Sequence, residues 1–269
     1  MKKKIACFIT SSWTEAGAMK IFLEKIDPNI ICEQKLPIMP KRNRNMQEDY
    51  TGLTGSALIS KAYEIIKKYR TDFSGFDAII IEDDLDFRFP THDKNEFEDY
   101  HNIIKQHICT IIGREIPVFV LYASPEIETW FLIDFKNSFE YVYKNAYFCH
   151  HLKEYVKNEI IGEYWDEEIE KWNRQVDSKY QKLSNQIIDV AFPEIKRIIN
   201  DQYEQHERLE KSMVQAILKY DNYNKRIHGD IMLKNIEPEN LLEKGRVYFA
   251  PTYYAIKNFS KINSENVNA

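Results

Sequence analysis

The sequence predicts an α/β fold in which helices flank a mostly parallel sheet and a helical second half packs on that sheet. Four short, mostly apolar runs in the first half are typical of strands that are covered on both faces. Helical spacing of apolar residues separates each run from the next, and this alternation favours a parallel sheet. Beyond about residue 135 the strand-like runs stop, and segments rich in charged and aromatic residues follow.

The predicted elements of the first half follow one another in a regular order. Strands are predicted over residues 5–10, 30–36, 76–81 and 117–122, and the second of these is the weakest. Helices are predicted from about Thr14 to Ile26, from Gly55 to Tyr69 and from Asn95 to Ile112, with apolar residues in phase on one face. Such an order implies right-handed crossovers and helices on both faces of the sheet.

The second half is predicted to be mainly helical. Amphipathic helices are predicted over residues 171–176 and 194–219. We therefore divide the chain into an α/β core over residues 1–135, a mainly helical extension over residues 136–260 and a flexible tail over residues 261–269.

Composition excludes some classes of protein. Of the 269 residues, 43% are hydrophobic and 29% are charged, which is enough apolar material for a real core. The formal net charge of -5 rules out a basic footprint spread over the whole protein, although local basic loops and bound metal can still attract nucleic acid. The four cysteines are scattered and predict reduced, buried thiols. Without a signal peptide or membrane span, the expected location is the cytoplasm.

An acidic run follows the third predicted strand. It reads Glu82-Asp83-Asp84-Leu85-Asp86, and ligands of parallel sheets bind outside the carboxyl ends of the strands. In extended geometry, Asp84 and Asp86 would point the same way and would repel each other unless a cation lay between them. Carboxylate oxygens suit Mg²⁺ or Mn²⁺. The alternative is a solvated acidic turn.

Two more predicted strands deliver carboxylates to the same edge. Glu15 follows the first strand, and Glu126 and Glu128 follow the fourth. Acidic residues are also favoured at the start of any helix, which is the alternative interpretation of all three. Together with the acidic run, they suit two-metal phosphoryl chemistry, in which cations activate water and stabilise the leaving oxygen.

Four short motifs occur in an order that resembles a known family. Thr14-Glu15 resembles the second half of a Glu-Gly-x-Thr-Glu motif, and Asp84-Leu85-Asp86 resembles Asp-x-Asp. Residues 124–134 resemble a Pro-x-x-Glu-x-Trp signature, and the stretch from Tyr223-Asn224-Lys225 to Asn240 resembles a C-terminal Lys-x-x-x-Gly region. In this order the motifs resemble TOPRIM domains, most closely those of RloB-like and related small prokaryotic TOPRIM families, including OLD-like nucleases.

The resemblance implies a TOPRIM-like sheet and Mg²⁺- or Mn²⁺-dependent endonuclease activity on DNA or RNA, tRNA included. It further implies a role as effector in bacterial anti-phage defence, with an ATPase as partner protein, no membrane attachment and self-association as an option. The implied catalytic residues are Glu15, Asp84 and Asp86, and Glu128 joins them as a metal ligand. Glu82, Asp83 and Glu126 are further acidic candidates. Lys41, Arg42 and Arg44 are candidates for phosphate contacts, with a solvated basic loop as the alternative.

The chain departs from the family at one position. Ser11-Ser12 stands where the family has its first Glu-Gly, and that glutamate is implied as a metal ligand or general base. Either other carboxylates, such as Glu82, Asp83 or Glu128, take its place, or the activity is lost. The second option predicts a non-catalytic scaffold that binds an ATPase.

Two other patterns suggest different chemistry. His228-Gly229-Asp230, followed by Asn235, resembles the catalytic loop of aminoglycoside-type kinases. However, the sequence contains no glycine-rich nucleotide loop before it and no aspartate after it. Cysteine and histidine also occur close together near residues 107–109 and 149–151, but neither place has a second pair at zinc-finger spacing. Both alternatives rank below the acidic site.

Overall fold

The fold was analysed in a computed structural model of the chain. The structure describes residues 2–10, 15–36, 53–86, 88–89, 92–172, 175–176, 179–206 and 209–262, and the statements below refer to these residues. It contains four parallel strands in the spatial order β2-β1-β3-β4. Their bounds are Lys3–Ile9 (β1), Ile30–Leu36 (β2), Ala78–Asp84 (β3) and Val118–Ala123 (β4). The predicted α/β class with a mostly parallel sheet is therefore confirmed.

Side chains of the inner strands alternate between two apolar cores. On β3, Ala78 and Ile80 belong to one core, whereas Ile79 and Ile81 belong to the other. All seven residues of β3 are buried, as expected for a strand covered on both faces. This alternation matters at the end of the strand, because it sends successive acidic side chains to opposite faces of the sheet.

Helices of the first half cover both faces. The first half contains α1 (Glu15–Ile26), α2 (Gly55–Lys68), α3 (Arg70–Phe73) and α4 (Lys94–Ile112). Helix α1 packs its apolar stripe into the first core, and α2 and α4 pack into the second. The predicted helix over residues 55–69 is one residue too long, since Tyr69 leaves helical geometry and is 46% exposed.

The second half is mainly helical, as predicted. It contains α5 (Glu128–Ile133), α6 (Phe139–Tyr143), α7 (Ala146–Tyr155), α8 (Leu183–Asn185), α9 (Phe192–His206), α10 (Lys211–Leu218), α11 (Asp230–Asn235) and α12 (Phe249–Ile262). Wider π-helical turns occupy Val156–Ile161, Gln186–Ala191 and Lys225–Gly229. Tighter 3₁₀ turns occupy Gly162–Trp165, Ile169–Lys171 and Pro238–Leu241.

Two predicted helices of this half are wrong in detail. Residues 171–176 do not form a helix: Gln175–Val176 pairs in antiparallel fashion with Lys179–Tyr180, giving β5 and β6. The buried Trp172 donates its indole N–H to the Ile160 carbonyl oxygen, a contact that local helical spacing does not reveal. The predicted helix over residues 194–219 is two helices, α9 and α10, because Glu210 is extended.

The helical half shares its core with one face of the sheet. Helix α12 lies against β4, where the Thr252 hydroxyl donates to the Val120 carbonyl oxygen and the rings of Phe119 and Phe259 meet at 5.6 Å. The division at residue 135 stays a prediction, although this continuous core joins both sides of it. Helix α12 extends to Ile262, and residues 263–269 lie outside the described residues. No helix in the described part of the chain is long and apolar enough to cross a membrane.

A buried glutamate holds the start of α12. The Glu170 carboxylate accepts backbone N–H groups from Val247 at 2.7 Å and from Tyr248 and Phe249 at 3.0 Å. These donors precede or begin a helix and would otherwise lack partners in the interior. Burial raises the pKa of Glu170 to about 7, outweighing the three N–H donors, and the negative charge of Glu168 adds to the increase. The interaction therefore depends on pH.

We expect Glu170 to make the protein less stable as pH rises from about 4.5 to about 7. In this range the folded state holds a proton that the unfolded state has released, so folding is favoured at the acidic end. Urea unfolding across this range should show a weaker loss of stability in Glu170→Gln than in the wild type. Glu243→Gln changes an exposed glutamate and serves as the control. Equal pH dependence in Glu170→Gln and the wild type would contradict the expectation.

Candidate functional site

Acidic side chains gather at the carboxyl edge of the sheet, where β3 ends and the loop after β4 begins. At most 6% of each is exposed for Glu82, Asp83, Asp84, Glu126 and Glu128. Carboxylates are rarely buried so deeply unless cations or hydrogen-bond donors compensate them. We call Asp84, Asp86, Glu126 and Glu128 the acidic centre, because the contacts described below link them.

Asp83 points away from the acidic centre. Its carboxylate lies 2.6 Å from the Arg88 guanidinium and accepts the backbone N–H of Gly55 at the start of α2. The Thr10 hydroxyl donates to the same carboxylate. Burial raises the pKa of Asp83, and the nearby Arg88 opposes that shift. Asp83 therefore joins β3 to α2, and the structure does not bring it together with the other candidates.

Glu82 links the two central strands. One of its carboxylate oxygens accepts the backbone N–H of Thr10 at 3.1 Å, just beyond the end of β1. The Thr10 hydroxyl lies 3.1 Å from the Glu82 carbonyl oxygen and shares its single proton between this oxygen and the Asp83 carboxylate. These contacts close the junction between β1 and β3, so that the ends of the two strands stay side by side.

Asp84 is the last residue of β3 and lies on the face of the helical half. Its carboxylate accepts the backbone N–H of Ile127 at 3.1 Å, which ties the end of β3 to the loop after β4. Its negative charge also raises the pKa of Lys225. Asp84 thus belongs to the acidic centre, and its role as a metal ligand stays a prediction.

Asp86 does not have the extended geometry that the sequence pattern predicted. Strand β3 ends at Asp84, and Asp86 adopts a left-handed backbone conformation with φ of 47°. Its backbone N–H donates to the carbonyl oxygen of Pro125 at 2.9 Å, which pulls the chain into a turn. The prediction that the Asp84 and Asp86 side chains point the same way assumed an extended strand and is therefore wrong. Both residues nevertheless lie at the same edge of the sheet.

The Asp86 carboxylate faces the outer side of the acidic centre. It lies 3.6 Å from the ammonium of Lys182. Burial raises the pKa of Asp86, the charge of Lys182 lowers it, and the charge of Glu126 raises it further. One of its oxygens makes no hydrogen bond within the described part of the chain.

The Glu126 carboxylate contacts the start of α8, a helix of the second half. Its two carboxylate oxygens accept the backbone N–H of Leu183 at 2.9 Å and the hydroxyl of Ser184 at 2.8 Å, at the start of α8. The Lys225 ammonium donates to Glu126 at 3.0 Å. These contacts support a structural role for Glu126 beside its place in the acidic centre.

Glu128 is the first residue of α5 and is completely buried. The Tyr223 hydroxyl donates to one carboxylate oxygen at 2.8 Å, and the other oxygen lies 3.2 Å from the Lys225 ammonium. This second oxygen makes no hydrogen bond to the described residues. Burial raises the pKa of Glu128, and the charge of Lys225 opposes the shift.

The sequence analysis did not select three side chains that complete this centre. Lys225 and Tyr223 occur in a stretch that resembles a family motif, so a signal for them existed. Lys182 stands in no motif, and no pattern in the sequence could have connected it with Asp86. All three come from the helical half and reach back to the edge of the sheet.

Several predicted site residues lie outside the described residues. These are Ser11, Ser12, Thr14, Lys41, Arg42 and Arg44. Helix α1 begins at Glu15, as predicted, but the side chain of Glu15 also lies outside the described part. Their roles in binding metal or phosphate therefore stay predictions.

The kinase-like motif does not form a catalytic loop. Gly229 ends a π-helical turn, Asp230 begins α11, and the Asp230 carboxylate lies 2.5 Å from the Lys234 ammonium one helical turn away. A Cβ atom on Gly17 would lie 3.9 Å from Asp230, which reflects the close packing of α11 on α1. The motif is part of a helix–helix contact.

The donor set of the acidic centre fits a hard divalent cation. Its ligand atoms are carboxylate oxygens, which Mg²⁺ and Mn²⁺ prefer. One oxygen of Asp86 and one of Glu128 have only a lysine ammonium as partner among the described residues, and burial raises the pKa of both side chains. The described residues nevertheless include no group of three acidic, histidine or cysteine side chains already arranged to hold a metal ion.

Comparisons of the chain with protein-family models, curated proteins and solved structures gave no match.

Proposed function

We propose that the acidic centre binds divalent cations and that the protein uses them to hydrolyse phosphodiester bonds of nucleic acid. The observation that carries this proposal is the convergence of three carboxylates on one cation. The Lys225 ammonium contacts Glu126 and Glu128, and the negative charge of Asp84 also acts on it. These carboxylates come from the ends of two adjacent parallel strands, where such sheets bind ligands.

The chemistry of the centre supports this choice. A bound Mg²⁺ or Mn²⁺ would supply an activated water and would stabilise the leaving oxygen of a phosphodiester. Asp84 and Glu128 are the ligands that we assign to it, because both oxygens of Glu126 already accept donors at the start of α8. The more exposed Asp86–Lys182 pair lies where a substrate phosphate could exchange with the Asp86 carboxylate.

The first test is cleavage by the purified protein. DNA and RNA, each single- and double-stranded, are incubated with the protein in Mg²⁺, in Mn²⁺ and in a chelator. We expect metal-dependent cleavage that Asp84→Asn reduces by roughly 100-fold or more, since loss of a ligand should exceed the effect of losing its supporting residues. Asp201→Asn removes a charge from the exposed side chain of Asp201 on α9 and should cleave like the wild type.

A non-catalytic module is the second candidate function. It is favoured by Lys225, which compensates the buried carboxylates without any metal, and by the serine at position 11. This candidate predicts no cleavage under any metal condition, an unchanged melting temperature on adding Mn²⁺, and a stable complex with a partner protein. An ATPase is the partner class that the family resemblance implies. Metal-dependent cleavage lost in Asp84→Asn would exclude it.

A further inference from the structure

The position of Lys225 suggests a role that the proposed cleavage alone does not require. We infer that the Lys225 ammonium is an internal counter-ion, which occupies the cation-binding place of the acidic centre and leaves when a divalent cation binds. The inference rests on the proposed metal binding and adds a description of how the same site is kept closed.

The contacts of Lys225 are those of a cation among ligands. Its ammonium lies 3.0 Å from one oxygen of Glu126 and 3.2 Å from one oxygen of Glu128, and both glutamate side chains are completely buried. The charge of Asp84 also acts on it. In such a dry environment the carboxylates need a positive charge at this point, and Lys225 supplies it.

An ammonium and a metal ion cannot hold this point together. Mg²⁺ binds carboxylate oxygens at about 2.0–2.1 Å, so an ion bound to Asp84 and to the Glu128 oxygen that Lys225 contacts would compete with the Lys225 ammonium for that oxygen. Two positive ions in one buried centre would also repel each other strongly. The two cations must therefore alternate.

The local structure allows the lysine to leave. Its side chain is 31% exposed, whereas those of Glu126 and Glu128 are not exposed at all, so a route to solvent exists on its side. Lys225 is the first residue of the π-helical turn Lys225–Gly229, a geometry that is rare and is often found at functional sites. Its long, flexible side chain can swing outward without moving the backbone.

Tyr223 has the opposite character and would stay in place. It is 2% exposed, and its hydroxyl donates to the Glu128 oxygen that Lys225 does not contact. Tyr223 is thus a positioning residue, which orients Glu128 whether the lysine or the metal ion is bound. Replacement of the Lys225 ammonium by the metal ion therefore changes the partner of only one Glu128 oxygen.

The test compares Mn²⁺ binding by Lys225→Met with that of the wild type. Methionine keeps a similar length and removes the charge. We expect Lys225→Met to bind Mn²⁺ at least ~10-fold more tightly, measured by electron paramagnetic resonance of unbound Mn²⁺, because the competing cation is gone. Its melting temperature without metal should be lower than that of the wild type, and Mn²⁺ should raise it further than in the wild type.

Lys196→Met is the matched control. Lys196 is partly buried on α9 and donates to Asn222 at 3.0 Å, away from the acidic centre. Its loss should lower the melting temperature without changing the affinity for Mn²⁺. Lys225→Arg keeps a cation in place and should not gain affinity.

Each outcome decides the inference. Unchanged or weaker Mn²⁺ binding by Lys225→Met overturns it, and so does a variant that stays unfolded when Mn²⁺ is added. A Lys225→Met protein that is unfolded alone but folds with Mn²⁺ supports it. If the wild type cleaves nucleic acid while Lys225→Met gains no affinity, the inference fails and the proposed function stands. If Lys225→Met gains affinity but no protein cleaves, the proposed function fails and the exchange stands.

Discussion

Trp130→Ala is expected to lower the free energy of unfolding by about 3–5 kcal/mol, because it opens a large cavity where the sheet and the helical half meet. Trp130 is completely buried. Its ring centroid lies 5.0 Å from that of Phe22 on α1, in a stacked arrangement, and 5.2 Å from that of Phe249 on α12. It therefore joins three helices at one point. Urea unfolding followed by circular dichroism measures the change.

Tyr254→Ala provides the control for the tryptophan. Tyr254 lies on α12 beside the buried Tyr253, but it is 53% exposed. Truncating it should change the free energy of unfolding by no more than about 0.5 kcal/mol. A loss below about 1 kcal/mol for Trp130→Ala would mean that the packing at this junction is not as described.

Asp83→Ala is expected to cost about 3 kcal/mol, since it leaves the guanidinium of Arg88 without its buried partner. It also removes the acceptor for the Gly55 N–H at the start of α2. The value lies at the lower end of the range for buried ion pairs, because the Arg88 side chain is still 22% exposed and water can partly replace the carboxylate. Urea unfolding again measures the loss.

A double-mutant cycle separates the pair from other effects. Asp83→Ala with Arg88→Ala should cost less than the sum of the single changes, because neither charge then stays buried alone. Asp201→Ala breaks an exposed ion pair with Arg197 on α9 and should cost less than about 1 kcal/mol. Additive losses in the cycle would show that Asp83 and Arg88 act independently.

The sheet could be predicted from the sequence because its strands carry their own signal. Residues 76–81 and 117–122 consist mostly of large apolar side chains, a pattern that only burial on both faces explains. The strand over residues 30–36 has the predicted bounds, the other three are shifted by one to three residues, and β3 continues through Glu82, Asp83 and Asp84. Acidic residues are uncommon in strands, so the composition suggests that the strand ends before them. Here, backbone pairing with β4 continues through Asp84.

The second half was harder to predict because its elements depend on contacts between distant residues. Helical spacing over residues 194–219 was real, but extended geometry at Glu210 divides the segment into two helices. Within the stretch over residues 171–176, Lys171 ends a 3₁₀ turn, Trp172 is buried and Gln175–Val176 forms a strand. Local patterns contain no information about either event.

The acidic centre was predictable only from its carboxylates. Asp84 and Glu128 could be chosen because they follow strands that end at one edge. The parity argument for Asp86 failed, since it assumed a strand that stops two residues earlier. Lys225 stands in a stretch that resembles a family motif, but Lys182 could not be assigned, because no rule of spacing relates a lysine to carboxylates that lie far away in the sequence.

The acidic centre is assembled across very long stretches of chain. Lys225 lies 99 residues beyond Glu126, and Tyr223 lies 95 residues beyond Glu128. A nascent chain that ends shortly after Glu128 contains the carboxylates. It contains neither the Lys225 ammonium nor the Tyr223 hydroxyl that contacts them in the folded protein. Closing such a large loop comes late in folding. The arrangement of the site is therefore completed only after the chain has been synthesised through Lys225.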